Sequence, residues 1–366
     1  MIKTLTLKNF RNFAKKELKF DASVNLIIGP NASGKTNILE AIYLLSTGKS
    51  FKAKIEEEMV NYDQEIARVK GATNDVNLEV VLTRGEITIG EDPRKIEKAP
   101  RKKLLVNGVA RKLFDFAGNL KIVLFAPREL DLVTESPGIR REFLDSVISQ
   151  VDREYRRAIL SYEKGLRQRN KLLFRIRDEG LSRSQLLFWD KLLIKNGNFV
   201  STKRREFIDF VNLKQSIDGQ TFNLDYDASS ISESRLEQYA REEVYAATTL
   251  VGPHRDDFVF LSKEKKKRQR ELARFGSRGE QRMGVLWLKL AELNFVEERS
   301  STMPTLLLDD IFSELDHEHR DVVARVASKY QSIITTADPH YVANLKHTTK
   351  IIHLRCKSIM NSGLND

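Results

Sequence analysis

The chain has 366 residues, 41% hydrophobic and 31% charged, a balance that excludes a wholly disordered or collagen-like polymer and suits one large domain or two. Its 62 lysines and arginines against 51 acidic residues leave a formal charge of +11, an excess that favours a polyanionic partner. The longest apolar runs fall far short of the ~20 residues of a membrane helix, and the single cysteine, Cys356, excludes a disulfide framework.

In chain order, Ile2-Lys3-Thr4-Leu5-Thr6-Leu7-Lys8 alternates apolar and polar residues, which predicts a strand. No apolar leader precedes it, so the chain reads as cytoplasmic. Val24–Ile28 is a short apolar run entering a glycine turn. Ile38, Leu39, Ile42 and Leu45 then recur at helical spacing. Further strands are predicted at Ile66–Lys70, Leu78–Thr83, Glu86–Ile89, Lys103–Val106 and Lys121–Phe125, punctuated by glycines. After Pro137 the pattern turns helical and amphipathic to about Phe210, which predicts an inserted helical arm over 138–210 between two β-rich halves, 1–137 and 211–366. Strands return from Thr221. A helix over Gln281–Glu298 follows, then strand Thr305–Leu308, helix Glu318–Lys329 and strand Ser332–Thr336.

The basic excess is uneven. Residues 151–210 hold 15 basic and 8 acidic residues, and Arg94–Lys103 and Lys263–Arg270 are short basic runs. Solvated faces explain such runs as well as a phosphate-backbone footprint does.

Gly29-Pro30-Asn31-Ala32-Ser33-Gly34-Lys35-Thr36 fits the phosphate-binding loop pattern, between a buried strand and an amphipathic helix as the chemistry requires. The glycines let backbone amides turn toward a phosphate at the positive end of a helix. Lys35 reaches the β- and γ-phosphates, and Thr36 places its hydroxyl on Mg²⁺. Leu306-Leu307-Leu308-Asp309-Asp310 is an apolar strand ending in two carboxylates. In a parallel sheet these emerge at the ligand-binding edge. Asp309 then serves Mg²⁺ with Thr36, and Asp310 orients or deprotonates the attacking water. Ser313-Glu314-Leu315-Asp316 follows, with Ser313 or Asp316 also suited to cap the next helix.

Phe275-Gly276-Ser277-Arg278-Gly279-Glu280-Gln281-Arg282 precedes another helix. Ser277 with Glu280 reads as an ordinary capping box, and equally as an anion site at a helix N-terminus. It lies 32 residues before Asp309 and some 240 after the phosphate loop. That order matches the ABC-type ATPases, and the Ser277 segment resembles their signature.

More specifically, the chain resembles the RecF family of bacterial recombination proteins. The matching segments include Leu7-Lys8-Asn9-Phe10-Arg11-Asn12, the phosphate loop, Gly48-Lys49-Ser50-Phe51-Lys52, Phe125–Leu130, Gln168–Leu173, Gly252-Pro253-His254-Arg255-Asp256-Asp257, the signature, and Leu306 through Asp316. The resemblance implies an α/β fold: an ABC-type P-loop ATPase head with mixed β-sheet and helices, related to the heads of structural-maintenance-of-chromosomes proteins, plus the inserted helical arm. It implies ATP and Mg²⁺ held between the phosphate loop of one subunit and the signature (Ser277, Arg278, Gly279, Glu280, Gln281) and Asp316 of another, hence an ATP-dependent homodimer. Arg11 would add a phosphate contact. It further implies double-stranded DNA, gapped or junction DNA, and RecR and RecO type mediator proteins as partners, with no membrane. Asp310 stands where these ATPases usually carry glutamate, which implies slow hydrolysis, and Thr336 and Asp338 fall where a switch histidine would sit. The alternative is the ATPase subunit of an ABC transporter, although the usual signature match, catalytic glutamate and switch histidine are missing.

Overall fold

A computed structural model describes residues 1–90, 95–213, 216–217, 220–263, 269–313, 315–338, 340 and 349–355. Cys356, Glu314, Arg94 and residues 264–268 of the second basic run lie outside the described residues. The elements that position the site are β1 (Ile2–Phe10), β2 (Phe13–Lys19), β3 (Val24–Ile28), α1 (Lys35–Thr47), β4 (Ile66–Thr73), β5 (Asn77–Thr83), β6 (Lys102–Val106), β7 (Val109–Arg111) and β8 (Ile122–Phe125). They continue with α2 (Pro137–Val151), α3 (Arg153–Glu179), α4 (Leu187–Asn212), β9 (Gln220–Asp227), β10 (Asp257–Lys263) and α5 (Arg278–Ser300). Last come β11 (Thr305–Asp309), α6 (His317–Ala327), β12 (Ser332–Thr336) and β13 (Thr349–His353).

The chain folds as two compact units, Met1–Pro127 with Thr302–Asp366, and Arg128–Ser301. This division differs from the expected arm over 138–210. Residues 211–301 join the helices because their strands and α5 pack on them: Phe207 of α4 meets Phe295 of α5 edge-on at 4.9 Å.

In the first unit, alternation along β1 buries Ile2, Leu5, Leu7 and Phe10. β2 pairs antiparallel with β1, Leu7 opposite Lys16 and Phe10 opposite Phe13. The sequence pattern did not predict β2, since Lys15, Lys16, Glu17 and Lys19 dilute its alternation. It is an edge strand, where such charges discourage pairing with other chains. The antiparallel sheet runs β2-β1-β4-β5-β6-β7. A second sheet, β8-β11-β12-β3-β13, is parallel throughout. Its strands β8, β11 and β12 are buried at every residue, as a parallel sheet covered on both faces demands. α1 buries Ile38, Leu39, Ile42, Leu44 and Leu45 completely, each worth about 1.5–3 kcal/mol of burial.

In the second unit α3 and α4 form an antiparallel pair. A Cβ on Gly165 would lie 2.5 Å from Leu192, so the helices approach through that glycine. Arg204 of α4 is buried, pairing with Asp145 at 2.8 Å and Asp256 at 3.0 Å and donating to the Pro253 carbonyl at 2.7 Å. Arg140 of α2 grips Asp257 with two bonds, 2.6 and 3.0 Å. Arg169 of α3 meets Asp190 and Glu243, both at 2.7 Å. An acidic pair such as Asp256-Asp257 is ordinarily solvated at a surface. Asp256 is instead wholly buried, because Arg204, Tyr226 and the Ser229 amide all reach its carboxylate. His254 sits in the same layer, bonded to the Tyr162 hydroxyl at 2.7 Å and the Thr249 carbonyl at 2.9 Å.

Burial lowers the His254 imidazole from its usual 6.5 to about 4. The folded chain keeps it neutral where the unfolded chain takes a proton. No stability is lost on this account above pH 6.5. Between 6.5 and about 4 it falls by up to ~1.4 kcal/mol per pH unit. Glu292, raised by burial to about 7, contributes the opposite slope in part of that window, so the readout is a difference. In urea unfolding, the stability advantage of the native chain over His254→Gln is expected to shrink steadily from pH 7 to pH 5.

Candidate functional site

β3 ends the parallel sheet's central run and delivers the chain into the loop Gly29–Gly34. Gly34 caps α1 with φ +98°, a left-handed conformation that favours glycine. Ala32 is also left-handed, φ +63°. A Cβ on Gly29 would lie 2.7 Å from Ser33 Oγ and 2.9 Å from the Leu354 carbonyl. The loop is thus a cradle in which bare backbone is required. Lys35 is buried, and its ammonium donates to the carbonyls of Gly29 at 2.7 Å and Pro30 at 3.1 Å. The Ser33 hydroxyl is buried with no hydrogen-bond partner among the described residues. Pro30, Asn31 and Ala32 are exposed at the loop's crest. An unsatisfied hydroxyl, a buried ammonium and a helix N-terminus in one concave turn fit a phosphate chain.

The acidic strand end lies beside this loop. The parallel register sets Leu308 opposite Ile334 and Asp309 opposite Thr335. Asp309 Oδ1 accepts from Thr36 Oγ1 at 3.0 Å and from Thr335 Oγ1 at 2.8 Å. Thr36 and Asp309 are hard oxygen donors of the kind Mg²⁺ takes. Asp310 follows with φ +50°, its amide donating to the Thr335 carbonyl at 3.1 Å. This left-handed turn ends the strand, and Asp310 is partly exposed beyond it. Asp316 caps α6, accepting from the His319 amide at 3.1 Å and meeting His319 Nδ1 at 2.5 Å. The amide bond, with the imidazole, lowers its carboxyl below the usual range. Of the two caps foreseen for α6, the structure uses Asp316. Ser313 instead donates to the Asp310 carbonyl at 2.7 Å.

The Ser277 segment belongs to the second unit. Ser277 caps the 23-residue α5, accepting from the Glu280 amide at 3.2 Å, while Glu280 accepts from the Ser277 amide at 2.7 Å. This is the capping box read from the sequence. The Ser277 amide, with the nearby Arg270, lowers the Glu280 carboxyl. Gln281 is buried, donating to the carbonyls of Leu272 at 3.1 Å and Gly276 at 3.3 Å. Glu280 and the Gln281 amide nitrogen therefore hold the segment's shape, while Gln281 Oε1 is buried with no hydrogen-bond partner among the described residues. Ser277, Arg278 and Gly279 are exposed, and a Cβ on Gly279 would meet only Ser277 Oγ, at 3.9 Å.

The resemblance implied a phosphate contact for Arg11. Its guanidinium grips Glu40 with bonds of 2.8 and 2.6 Å and donates to the Glu58 carbonyl at 2.6 Å. Glu40 is fully buried on α1. Sequence reasoning missed it, although a carboxylate on an apolar helix face between Leu39 and Ile42 signals a buried cation partner. Also missed was a relay beside the loop. Lys52 donates to Asn37 at 3.2 Å, Asn37 to Asn12 at 2.9 Å, and Asn12 to the Ser33 carbonyl at 3.3 Å. Lys52, Asn37, Asn12 and Arg84 line a cleft of about 470 Å³.

The model for the RecF/RecN/SMC N-terminal domain matches residues 1–359. The DNA replication and repair protein RecF of Herpetosiphon aurantiacus is 35% identical over 368 residues, covering 92% of this chain and 93% of the relative. The chain belongs to the RecF family. A solved structure of the recombination mediator protein RecF with ATP, in the RecFOR pathway, matches with a TM-score of 0.81 at 30% identity over 92% of both chains. The Smc head domain of Pyrococcus furiosus, with an extended coiled coil and bound to the C-terminal domain of ScpA, matches at a TM-score of 0.50 and 18% identity, covering 96% of this chain and 92% of that one. At that identity the likeness is one of fold. This RecF-family chain therefore has the ABC-type ATPase head. Among the described residues no helix is long and apolar enough to cross a membrane.

Gly29→Ala is expected to keep the fold and weaken ATP binding by tenfold or more, about 1.4 kcal/mol. Circular dichroism and nucleotide titration check the two halves of that statement.

Proposed function

We propose that this chain is an ATP-gated DNA clamp of recombinational repair. Two copies close head-to-tail on duplex DNA near single-strand gaps, each phosphate loop meeting the other copy's signature. Slow hydrolysis reopens them, and the cycle supports recombinase loading with RecO and RecR type proteins. The observation that carries the reading is the exposed Ser277-Arg278-Gly279 at the start of α5. Its neighbours Glu280 and Gln281 brace its shape through bonds to the Ser277 amide and to the carbonyls of Leu272 and Gly276, while the segment itself faces outward. A preformed donor surface of this kind suits an anion brought by another molecule. The chain's membership in a family of DNA replication and repair proteins supports the same reading, and nothing favours the transporter alternative.

In this reading Lys35 holds the β- and γ-phosphates, while the backbone of Gly29–Gly34 orients them. Thr36 and Asp309 would hold Mg²⁺, which supplies charge neutralisation at those phosphates when bound. Asp310 takes a proton from the water that attacks the γ-phosphorus, and ADP and phosphate leave. Aspartate reaches less far than glutamate, which fits a timer more than a fast engine. Ser277 and Gly279 of the second copy add donors to the γ-phosphate, so closure and the complete site form together. ATP binding across the interface thereby shifts the monomer–dimer equilibrium.

Sedimentation velocity with and without ATP–Mg²⁺ tests the dimer. The native chain is expected to dimerise with ATP. Ser277→Arg is expected to bind ATP as a monomer and fail to dimerise, and its persistence as an ATP-driven dimer would rule out the sandwich. Asp310→Asn is expected to slow turnover by ~10²–10⁴ and remain on duplex DNA as a closed dimer. Release at the native rate would remove Asp310 from the proton-transfer role.

A further inference from the structure

One face of α3 is built unlike the rest of its surface. Arg157, Lys164, Arg167 and Lys171 are exposed at steps of seven, three and four residues, so they share one side of the helix. None has a hydrogen-bond or ion-pair partner among the described residues. By contrast Arg169, on the opposite face, is buried with two carboxylates. The row from Arg157 to Lys171 spans about 21 Å along the axis, at 1.5 Å per residue. It ends at Phe174, whose ring is half exposed. The Arg177 guanidinium lies 5.2 Å over that ring and is itself tied to Asp178 at 2.7 Å and the Tyr245 carbonyl at 3.3 Å. A cleft of about 550 Å³ opens between Arg167, Asn170, Lys171, Phe174 and Arg175. Asn170 is turned inward, accepting from the Thr249 amide at 2.9 Å and hydroxyl at 2.7 Å.

A row of unpaired cations that leads to an exposed ring with a guanidinium over one face is the pairing that single-stranded nucleic acid uses. Cations track the backbone, and an aromatic face takes a base. A duplex keeps its bases stacked inside and has no use for the ring. An acidic peptide would satisfy the charges without using the exposed Phe174 ring. We propose that this face of α3 docks single-stranded DNA, the backbone along Arg157–Lys171 and one base stacked on Phe174. The proposal rests on DNA being the ligand class of the proposed function, and it adds a surface for the single strand that a gap exposes.

Fluorescence anisotropy with a labelled oligothymidylate, and in parallel with a blunt duplex, tests it. Phe174→Ala is expected to weaken oligothymidylate binding by about 5- to 150-fold, the range for loss of one base stack, and to leave duplex binding unchanged. Arg167→Glu with Lys171→Glu is expected to lower the salt slope of single-strand binding by about 1.4, for two phosphate contacts. Photocrosslinking of an oligothymidylate carrying 5-iodouracil to the native chain, mapped to residues 167–177, decides the same point without a variant. Native affinity in Phe174→Ala, an equal loss of duplex binding, or crosslinks confined elsewhere would each overturn the proposal. So would a chain that ignores the oligothymidylate and binds a poly-glutamate peptide through these residues. ATP-driven dimerisation is followed in the same samples. A chain that dimerises with ATP but ignores the oligothymidylate loses this surface and keeps the clamp. A chain that binds it through Phe174 but never dimerises loses the clamp and keeps the surface.

Discussion

Everything at the nucleotide edge depends on one carboxylate oxygen. Asp309 Oδ1 accepts from Thr36 and from Thr335, joining the helix after β3 to the end of β11 and the end of β12. The arrangement exists only because the three strands are parallel and in register, with Thr335 opposite both Asp309 and Ile27. A slip of one residue would turn Asp309 to the other face of the sheet. The apolar run Thr305–Leu308 therefore does more than fill a core. Its length sets the height at which the acid leaves it. Charge-assisted bonds of this kind contribute ~1.5–3 kcal/mol each, and here they fix the position of a hard oxygen donor.

Much of this edge, and separately the Ser277 cap of the second unit, was legible from the sequence because the signals are local. The phosphate loop needs glycine at fixed places, the strand needs an unbroken apolar run, and the capping box needs serine and glutamate three residues apart. Each is written within ten residues. What was not legible depends on partners far apart in the chain. Arg11 is as compatible with a phosphate as with a carboxylate until Glu40 is seen beneath it, 29 residues away. Asp256 and Asp257 look like surface acids until Arg204 and Arg140 arrive from other helices. The division into compact units differs from the expected arm for the same reason. A change from helical to strand pattern at about residue 210 marks a change of secondary structure, but β9, β10 and α5 still pack on the helices before it. β2 and β13 were missed because an edge strand carries too few buried positions to show a period.

The second unit gathers an unusual share of buried charge around Arg204, Arg140 and Arg169. Pairs of this kind add little net stability over apolar packing, but removing one partner leaves a stranded charge at about 3–5 kcal/mol. Their effect is to permit one arrangement of α2, α3, α4 and the Gly252–Asp257 turn and to penalise near alternatives. α5 packs against α2 and α4, so its N-terminus inherits that definition. In the proposed dimer this surface meets a phosphate, and such a surface gains from fixity more than from additional stability.

The capping box at Ser277 has a consequence for which side chains that position tolerates. Serine, threonine, aspartate and asparagine all cap helices well, and by stability alone they are nearly interchangeable. At Ser277 the oxygen already accepts a bond from the Glu280 amide, so whatever faces outward must be what the cap leaves over. A hydroxyl leaves a proton to give. A carboxylate leaves only lone pairs and a negative charge, which would repel the phosphate of the proposed dimer. Polarity at this one atom has a direction: inward as acceptor, outward as donor. A change that looks harmless to the helix, serine to aspartate, would reverse the outward half while leaving the inward half intact.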